Sequence, residues 1–196
     1  MNTLWAFGDS FTAGLGVTDD KHQYGTYKGK EHLIWSRLLA DHLGMKHQNH
    51  GVHGISNDMI WDNILHRYKD IQRNDVVVIG LTKCARFGVY QPDHWQAGLF
   101  GVAPIRDSQL LLGKQVADAI LKNIRKHIDK VYLRNQANFD FLCTAFQRRR
   151  VKAYYWDELL WRKFTTITKE SKHADHHWGI KGHKQMFEYL KKEMEL

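Results

Sequence analysis

Apolar positions along the chain follow two rhythms. Leu4-Trp5-Ala6-Phe7 is an unbroken apolar run of strand length that stops abruptly at Gly8-Asp9-Ser10, which predicts a buried strand over 3–7. Asp75-Val76-Val77-Val78-Ile79-Gly80-Leu81 predicts a second buried strand over 75–81, and 151–156 a third. The segment 45–50 is read as a further strand. The other rhythm is helical. Leu33, Ile34, Leu38, Leu39 and Leu43 share one face of a helix over 33–43, and Gly44 supplies its stop. Met59, Ile60, Ile64, Leu65, Tyr68 and Ile71 repeat the spacing in a helix that Ser56 or Asn57 caps. Leu110, Leu111, Val116, Ile120, Leu121 and Ile124 mark a long or broken helical region opening at Ser108, followed by helices over 138–149 and 180–194.

Strands alternating with helices pair in parallel through right-handed crossovers, so the chain is predicted to be an α/β protein, a three-layer α/β/α sandwich around a mostly parallel central sheet. Its 196 residues contain no linker-like segment, which suits a single domain over 1–196. In such sheets ligands bind beyond the carboxyl ends of the strands. Ser10, Gly54 and Thr82 each follow a predicted strand at that edge.

Ser10 is the first candidate for chemistry. Gly8 lets the backbone turn sharply ahead of it, and Gly14 and Gly16 allow close backbone approach to a ligand. The same tripeptide would also serve as a helix cap, with Asp9 or Ser10 accepting a backbone N–H. The far end of the chain weighs toward chemistry, because His173-Ala174-Asp175-His176-His177-Trp178 precedes Gly182-His183. A serine hydroxyl attacks when a neighbouring base takes its proton, and histidine is the usual base. An acid beside that histidine fixes its tautomer.

These residues resemble the SGNH (GDSL-type) hydrolases, which carry Gly-Asp-Ser near the N-terminus and an Asp-x-x-His segment near the C-terminus. The similarity runs from Gly8 to His183 and implies an SGNH-hydrolase, flavodoxin-like architecture and a serine esterase with no cofactor and no metal. The spacing to Gly182-His183 selects His177 over His176 as base. The family's acid position falls on Ala174, so the acid is Asp175 or comes from elsewhere in the chain. Asn49-His50-Gly51-Val52-His53-Gly54-Ile55-Ser56 is similar to the second block, which makes Gly54 an oxyanion donor beside the Ser10 N–H. The run ending Gly80-Leu81-Thr82 is similar to the third block with Thr82 at the asparagine position. Either the Thr82 hydroxyl replaces the amide donor or another group such as Arg86 assists. Asp9 is expected to support the turn; Asp9, Arg86 and Trp178 are also candidates for contacting substrate, Trp178 alternatively packing in the core. The implied partner is a small-molecule or glycan ester, either a short acyl ester or a carbohydrate O-acetyl ester. Region 87–150 carries no family signature and is left for substrate-shaping elements and scaffold.

Charge raises a second function class. Lys and Arg number 29 against 21 Asp and Glu, a net +8, which would suit nucleic acid or another polyanion. Its best patches, Arg148-Arg149-Arg150 and 122–126, also fit a helix C-terminus and the polar face of an amphipathic helix. A third class is a non-catalytic binding module on the same fold, motivated by Thr82 and the displaced acid. Histidines are numerous, 13 in all, yet adjacent His176 and His177 cannot readily face one metal ion. Cys84 and Cys143 lack metal-ligand spacing and read as free thiols of a reducing compartment. No apolar segment approaches the roughly 20 residues of a membrane span, and the N-terminus lacks an export signal. The expected location is therefore cytoplasmic or otherwise soluble, and the lack of a long apolar lid argues against a lipase.

Overall fold

The computed structural model of the 196-residue chain describes residues 1–15, 17, 31–83, 86–90, 95–99, 114–157, 160, 163–164 and 177–195. In order they form β1 (Thr3–Gly8), α1 (Ser10–Ala13), a 3-10 turn (Glu31–Leu33), α2 (Trp35–His42), β2 (Lys46–Gly51) and α3 (Asn57–Arg67). There follow β3 (Val76–Gly80), β4 (Arg86–Tyr90), β5 (Trp95–Leu99), α4 (Lys114–Lys126), α5 (Ile128–Arg148), β6 (Lys152–Trp156) and α6 (Ile180–Glu193). Strands β2, β1, β3 and β6 lie side by side in that order and all run parallel. Strands β4 and β5 form a separate antiparallel pair.

Period-two alternation decides the layers. Leu4 and Ala6 of β1, with Val76 and Val78 of β3, point to the side covered by α2 and α6, where Leu39, Met186 and Leu190 pack. Trp5, Phe7, Val77 and Ile79 point to the opposite side, covered by Ile60 and Ile64 of α3 and Phe139, Leu142 and Phe146 of α5. An unbroken apolar strand is what a sheet buried on both faces requires. The architecture is thus the α/β sandwich expected, with four parallel strands at its centre.

The carboxyl ends of the strands are level: Gly8 is the register partner of both Gly51 and Gly80, and Gly80 pairs with Trp156. The chain steps from β1 to β2 on one side and then to β3 on the other. The strand order therefore reverses between β1 and β3, the place where such sheets open a crevice for ligands.

Several elements differ from expectation. Helix α5 begins ten residues before the 138 predicted. Residues 108–113, with Leu110 and Leu111, lie outside the described residues, and α4 is described from Lys114. The β4–β5 pair had no sequence signature. Gly14 is the left-handed C-cap of α1 at φ 86°, its Cα side filled by Ile34, so its glycine serves helix termination and not ligand approach; Gly16 lies outside the described residues. No described helix is long and apolar enough to cross a membrane.

Candidate active site

The site grows from the turn that ends β1. Asp9 caps α1, its Oδ1 accepting the Phe11 N–H at 3.0 Å, and this cap sets Ser10 as the first helical residue. A Cβ on Gly8 would stand 2.2 Å from Thr12 Oγ1 and 2.8 Å from the Gly80 carbonyl. Only glycine lets α1 turn back this closely over the sheet edge.

Ser10 and His177 meet. The Ser10 hydroxyl lies 2.7 Å from His177 Nε2, across 167 residues of sequence. For the hydroxyl to donate, the imidazole carries its own proton on Nδ1. The ring is held from beside the nucleophile: Phe11 packs on His177 with centroids 5.0 Å apart and on Trp178 at 4.8 Å. Phe11 in turn accepts the Trp35 indole N–H on its carbonyl at 3.2 Å. Asp175, the expected acid, lies outside the described residues, as do His173 and His176.

Gly54 stands in the turn after β2 at φ +71°, three residues beyond the register partner of Gly8. Among the described residues neither the Ser10 nor the Gly54 backbone N–H carries a hydrogen bond. Two backbone donors are thus open, one on the nucleophile's own residue and one in the turn after β2.

Thr82 is placed where expected but used differently. Its hydroxyl donates to Asp9 Oδ2 at 2.9 Å and accepts from Arg86 Nη1. With that single proton committed to a carboxylate, the Thr82 hydroxyl has none for an oxyanion, which corrects its expected role as third donor. Its backbone is clamped instead: the Asn57 side chain accepts the Thr82 N–H at 2.9 Å and donates to the Thr82 carbonyl at 3.1 Å. Asn57 was expected only as a possible cap, a task that Ser56 performs by accepting the Met59 N–H.

Arg86 completes this group. Nη1 pairs with Asp9 Oδ2 at 3.0 Å and approaches the Ile55 carbonyl at 3.4 Å. The guanidinium therefore bridges the segment carrying Ser10 and the segment carrying Gly54, while its buried Nε has no partner among the described residues. Asp9 accepts from Phe11, Thr82 and Arg86 and is buried. Its carboxylate supports the turn as expected and is not presented to substrate. Trp178 is fully buried against Phe11, Trp156, Phe164 and His183, so the substrate contact considered for it is overturned in favour of core packing.

Two histidines beside the site had no role in the sequence reading. Burial first, then the charge of His177, push the His53 pKa below its ordinary value, and the Asp9 carboxylate opposes them. His183 of α6 is fully buried and pushed down to about 3 by burial and then by His177; its Nδ1 faces the Trp35 N–H at 3.4 Å. A second Ser–His contact exists, His47 Nε2 to Ser36 Oγ at 3.0 Å. Burial and then Arg37 hold His47 down to about 4, with Asp41 opposing. A general base works best with a pKa near the operating pH, and this pair lies between α2 and β2, away from the crevice.

The other chemistry of the sequence finds ordinary places. Arg149 donates to the Tyr68 and Ile71 carbonyls at 2.7 Å each and lies over the Tyr68 ring, so part of the Arg148–Arg150 patch is packing. Cys143 is a buried thiol of α5, raised to about 11 by burial and Asp140; Cys84 lies outside the described residues. Among the described residues no three His, Cys, Asp or Glu side chains group as a metal site.

No protein-family model matches the sequence, and no curated protein is significantly similar to it. Solved structures match. A carbohydrate esterase family 2 enzyme with its carbohydrate binding domain, from Corynascus thermopiles (Myceliophthora fergusii), aligns with a TM-score of 0.50 at 16% identity, over 98% of this chain and 65% of that one. Looser matches are a carbohydrate acetylesterase from Sinorhizobium meliloti, with a TM-score of 0.47, 10% identity and 100% and 99% of the two chains covered, and a member of the lipolytic protein G-D-S-L family from Veillonella parvula DSM 2008, with a TM-score of 0.41, 14% identity and 98% and 97% covered. At such identities the likeness speaks to architecture. With its parallel β2-β1-β3-β6 sheet and helices on both faces, the chain has the fold of the SGNH, or GDSL-type, hydrolases.

Proposed function

We propose that the chain is a serine hydrolase of carboxylic esters, and the observation that carries this reading is the 2.7 Å contact between Ser10 Oγ and His177 Nε2. His177 takes the Ser10 proton as the oxygen attacks the ester carbonyl. The N–H groups of Ser10 and Gly54 donate to the oxyanion of the tetrahedral intermediate. Collapse breaks the bond to the alcohol oxygen, which leaves with the proton that His177 returns. Water then repeats the sequence on the acyl-serine, releasing the acid and restoring Ser10. Asp175 is assigned to holding His177 Nδ1–H. The resemblance suggests short acyl esters or carbohydrate O-acetyl esters as substrates.

The test is hydrolysis of 4-nitrophenyl acetate by the native protein beside Ser10→Ala and His177→Ala. Labelling of Ser10 by a fluorophosphonate, read by mass spectrometry, reports the nucleophile without depending on substrate choice. Loss of turnover in both variants with labelling confined to Ser10 supports the reading. A native protein that neither turns over nor labels refutes it. The Thr82 hydroxyl, engaged with Asp9, favours one rival, a non-catalytic module on the same fold, and the same labelling experiment separates the two.

A further inference from the structure

Arg86 holds a place that its ion pair alone does not explain. It opens β4, and its backbone N–H donates to the Lys83 carbonyl at 3.0 Å, a tight turn that folds the chain back over Thr82. One side-chain nitrogen, Nη1, then meets a residue from each loop that leaves the first three strands: Asp9 after β1 at 3.0 Å, Ile55 after β2 at 3.4 Å, and Thr82 after β3. The guanidinium therefore lies over the carboxyl ends of the strands where their order reverses, which is where sheets of this kind bind ligands.

The donors of this group can be counted. Nη1 has two protons and three acceptors around it, so both protons are spent. The Thr82 hydroxyl gives its one proton to Asp9. Nε is buried and unpartnered. Nη2 carries two protons, makes no hydrogen bond among the described residues, and is not shut away as Nε is, although the side chain as a whole is only 12% exposed. An arginine this buried that leaves two of its three nitrogens unpaired loses stability by it, and such exceptions call for a functional account. The residues that Nη1 grips on β1 and β2 adjoin Ser10 and Gly54, whose N–H groups are the two donors of the proposed mechanism. A charged N–H donates about twice as strongly as a neutral one.

We propose that Arg86 is a catalytic residue: with Nη1 anchored, its Nη2 donates a third hydrogen bond to the oxyanion formed when Ser10 attacks, a bond that strengthens as negative charge develops on the carbonyl oxygen. This rests on the ester-hydrolase reading. The guanidinium stays protonated throughout and adds no ionisation to the pH profile.

The experiment separates this role from a structural one for the ion pair. Native protein, Arg86→Lys, Arg86→Met and Asp9→Asn/Arg86→Met are each checked for folding by thermal melt. They are then compared for kcat and KM on 4-nitrophenyl acetate and for inhibition by phenylboronic acid. Boron bonds to the Ser10 oxygen as His177 takes the hydroxyl proton, which leaves a tetrahedral boronate whose negative charge mimics the oxyanion. Arg86→Lys keeps a cation for Asp9 but has no Nη2, and the double variant removes the pair altogether. Every folded variant is expected to lose about 100-fold or more in kcat, the loss typical of one oxyanion donor. KM should stay within about threefold, and boronate affinity should weaken at least about tenfold. Arg86→Lys within about threefold of native kcat overturns the proposal. So does a rise in KM at unchanged kcat, which places the guanidinium on the bound ester instead, or a loss of kcat with boronate affinity intact. A native protein that neither turns over the ester nor labels with a fluorophosphonate refutes the hydrolase reading itself; an active native protein with equally active variants refutes only the role given to Arg86.

Discussion

Replacing Arg86 by Met tests the most buried electrostatic feature of the site. The side chains of Arg86 and Asp9 are 12% and 4% exposed and their charges meet at 3.0 Å. Removing one partner of a buried pair typically costs about 3–5 kcal/mol, because the other charge is left without compensation. Asp9 would keep its hydrogen bonds from Phe11 and Thr82, so the low end, about 3 kcal/mol, is expected for Arg86→Met. For a chain of this size each kcal/mol moves the melting temperature by roughly 2–4 °C, which gives a fall of about 6–12 °C. Asp9→Asn strands the guanidinium instead and is also destabilising. The double variant Asp9→Asn/Arg86→Met contains neither charge and is expected to recover at least about 2 kcal/mol relative to the sum of the single effects. Urea unfolding of the four proteins measures this coupling, and ester turnover by the same set shows whether catalysis follows stability. A coupling below about 0.5 kcal/mol would refute the argument that neutralising Asp9 is what Arg86 does. A double variant that is stable but slow would show that the guanidinium also acts on the oxyanion.

Further expectations concern other parts of the site. His183 is held neutral in the folded chain, with its pKa lowered to about 3 from 6.5, so its contribution to stability is complete above pH 6.5 and is lost as pH falls from there toward 3. The cost at pH 5 is about 2 kcal/mol; the urea midpoint should fall between pH 7.5 and pH 5, and His183→Gln should flatten that dependence. His47 acts with the same sign, its lowered value lying near 4. Asn57→Ala leaves both backbone groups of Thr82 without their side-chain partner, a loss of about 2–3 kcal/mol, with kcat falling because the Asp9–Thr82–Arg86 group loses its fixed wall; wild-type turnover in this variant would contradict the clamp. Trp178→Ala empties a fully buried site and should cost about 3–5 kcal/mol in urea unfolding, and in the folded fraction it should lower kcat more than it changes KM, since Trp178 packs on the Phe11 ring that holds His177.

Strands β1 and β3 were legible because both faces are buried, which writes their positions as continuous apolar runs. Strand β2 carries Lys46, His47, Gln48, Asn49 and His50 and has no such run. It lies at the sheet edge and earns its place through polar bonds: His47 contacts Ser36, and Asn49 donates to the Thr12 carbonyl. The first half of α5 was missed for a related reason, since Leu133 is exposed while Asn135 is buried, the reverse of what an apolar stripe announces. At the site, Ser10 and His177 were readable because their chemistry and order in the chain are distinctive. The role of Asn57 was not, because it acts on the backbone of Thr82, 25 residues away. The proton of the Thr82 hydroxyl could not be assigned either until its neighbours Asp9 and Arg86 were seen together.

The span between Ser10 and His177, 167 residues, also sets the order in which reactivity arises. During synthesis Ser10 leaves the ribosome 167 residues ahead of His177. Strands β1, β2 and β3 can associate long before α6 exists, and through that interval Ser10 lacks the imidazole that would activate it. A chain made only as far as β3 therefore lacks the Ser10–His177 pair, and on the proposed reading the onset of ester turnover would report the docking of the segment that carries His177 and α6.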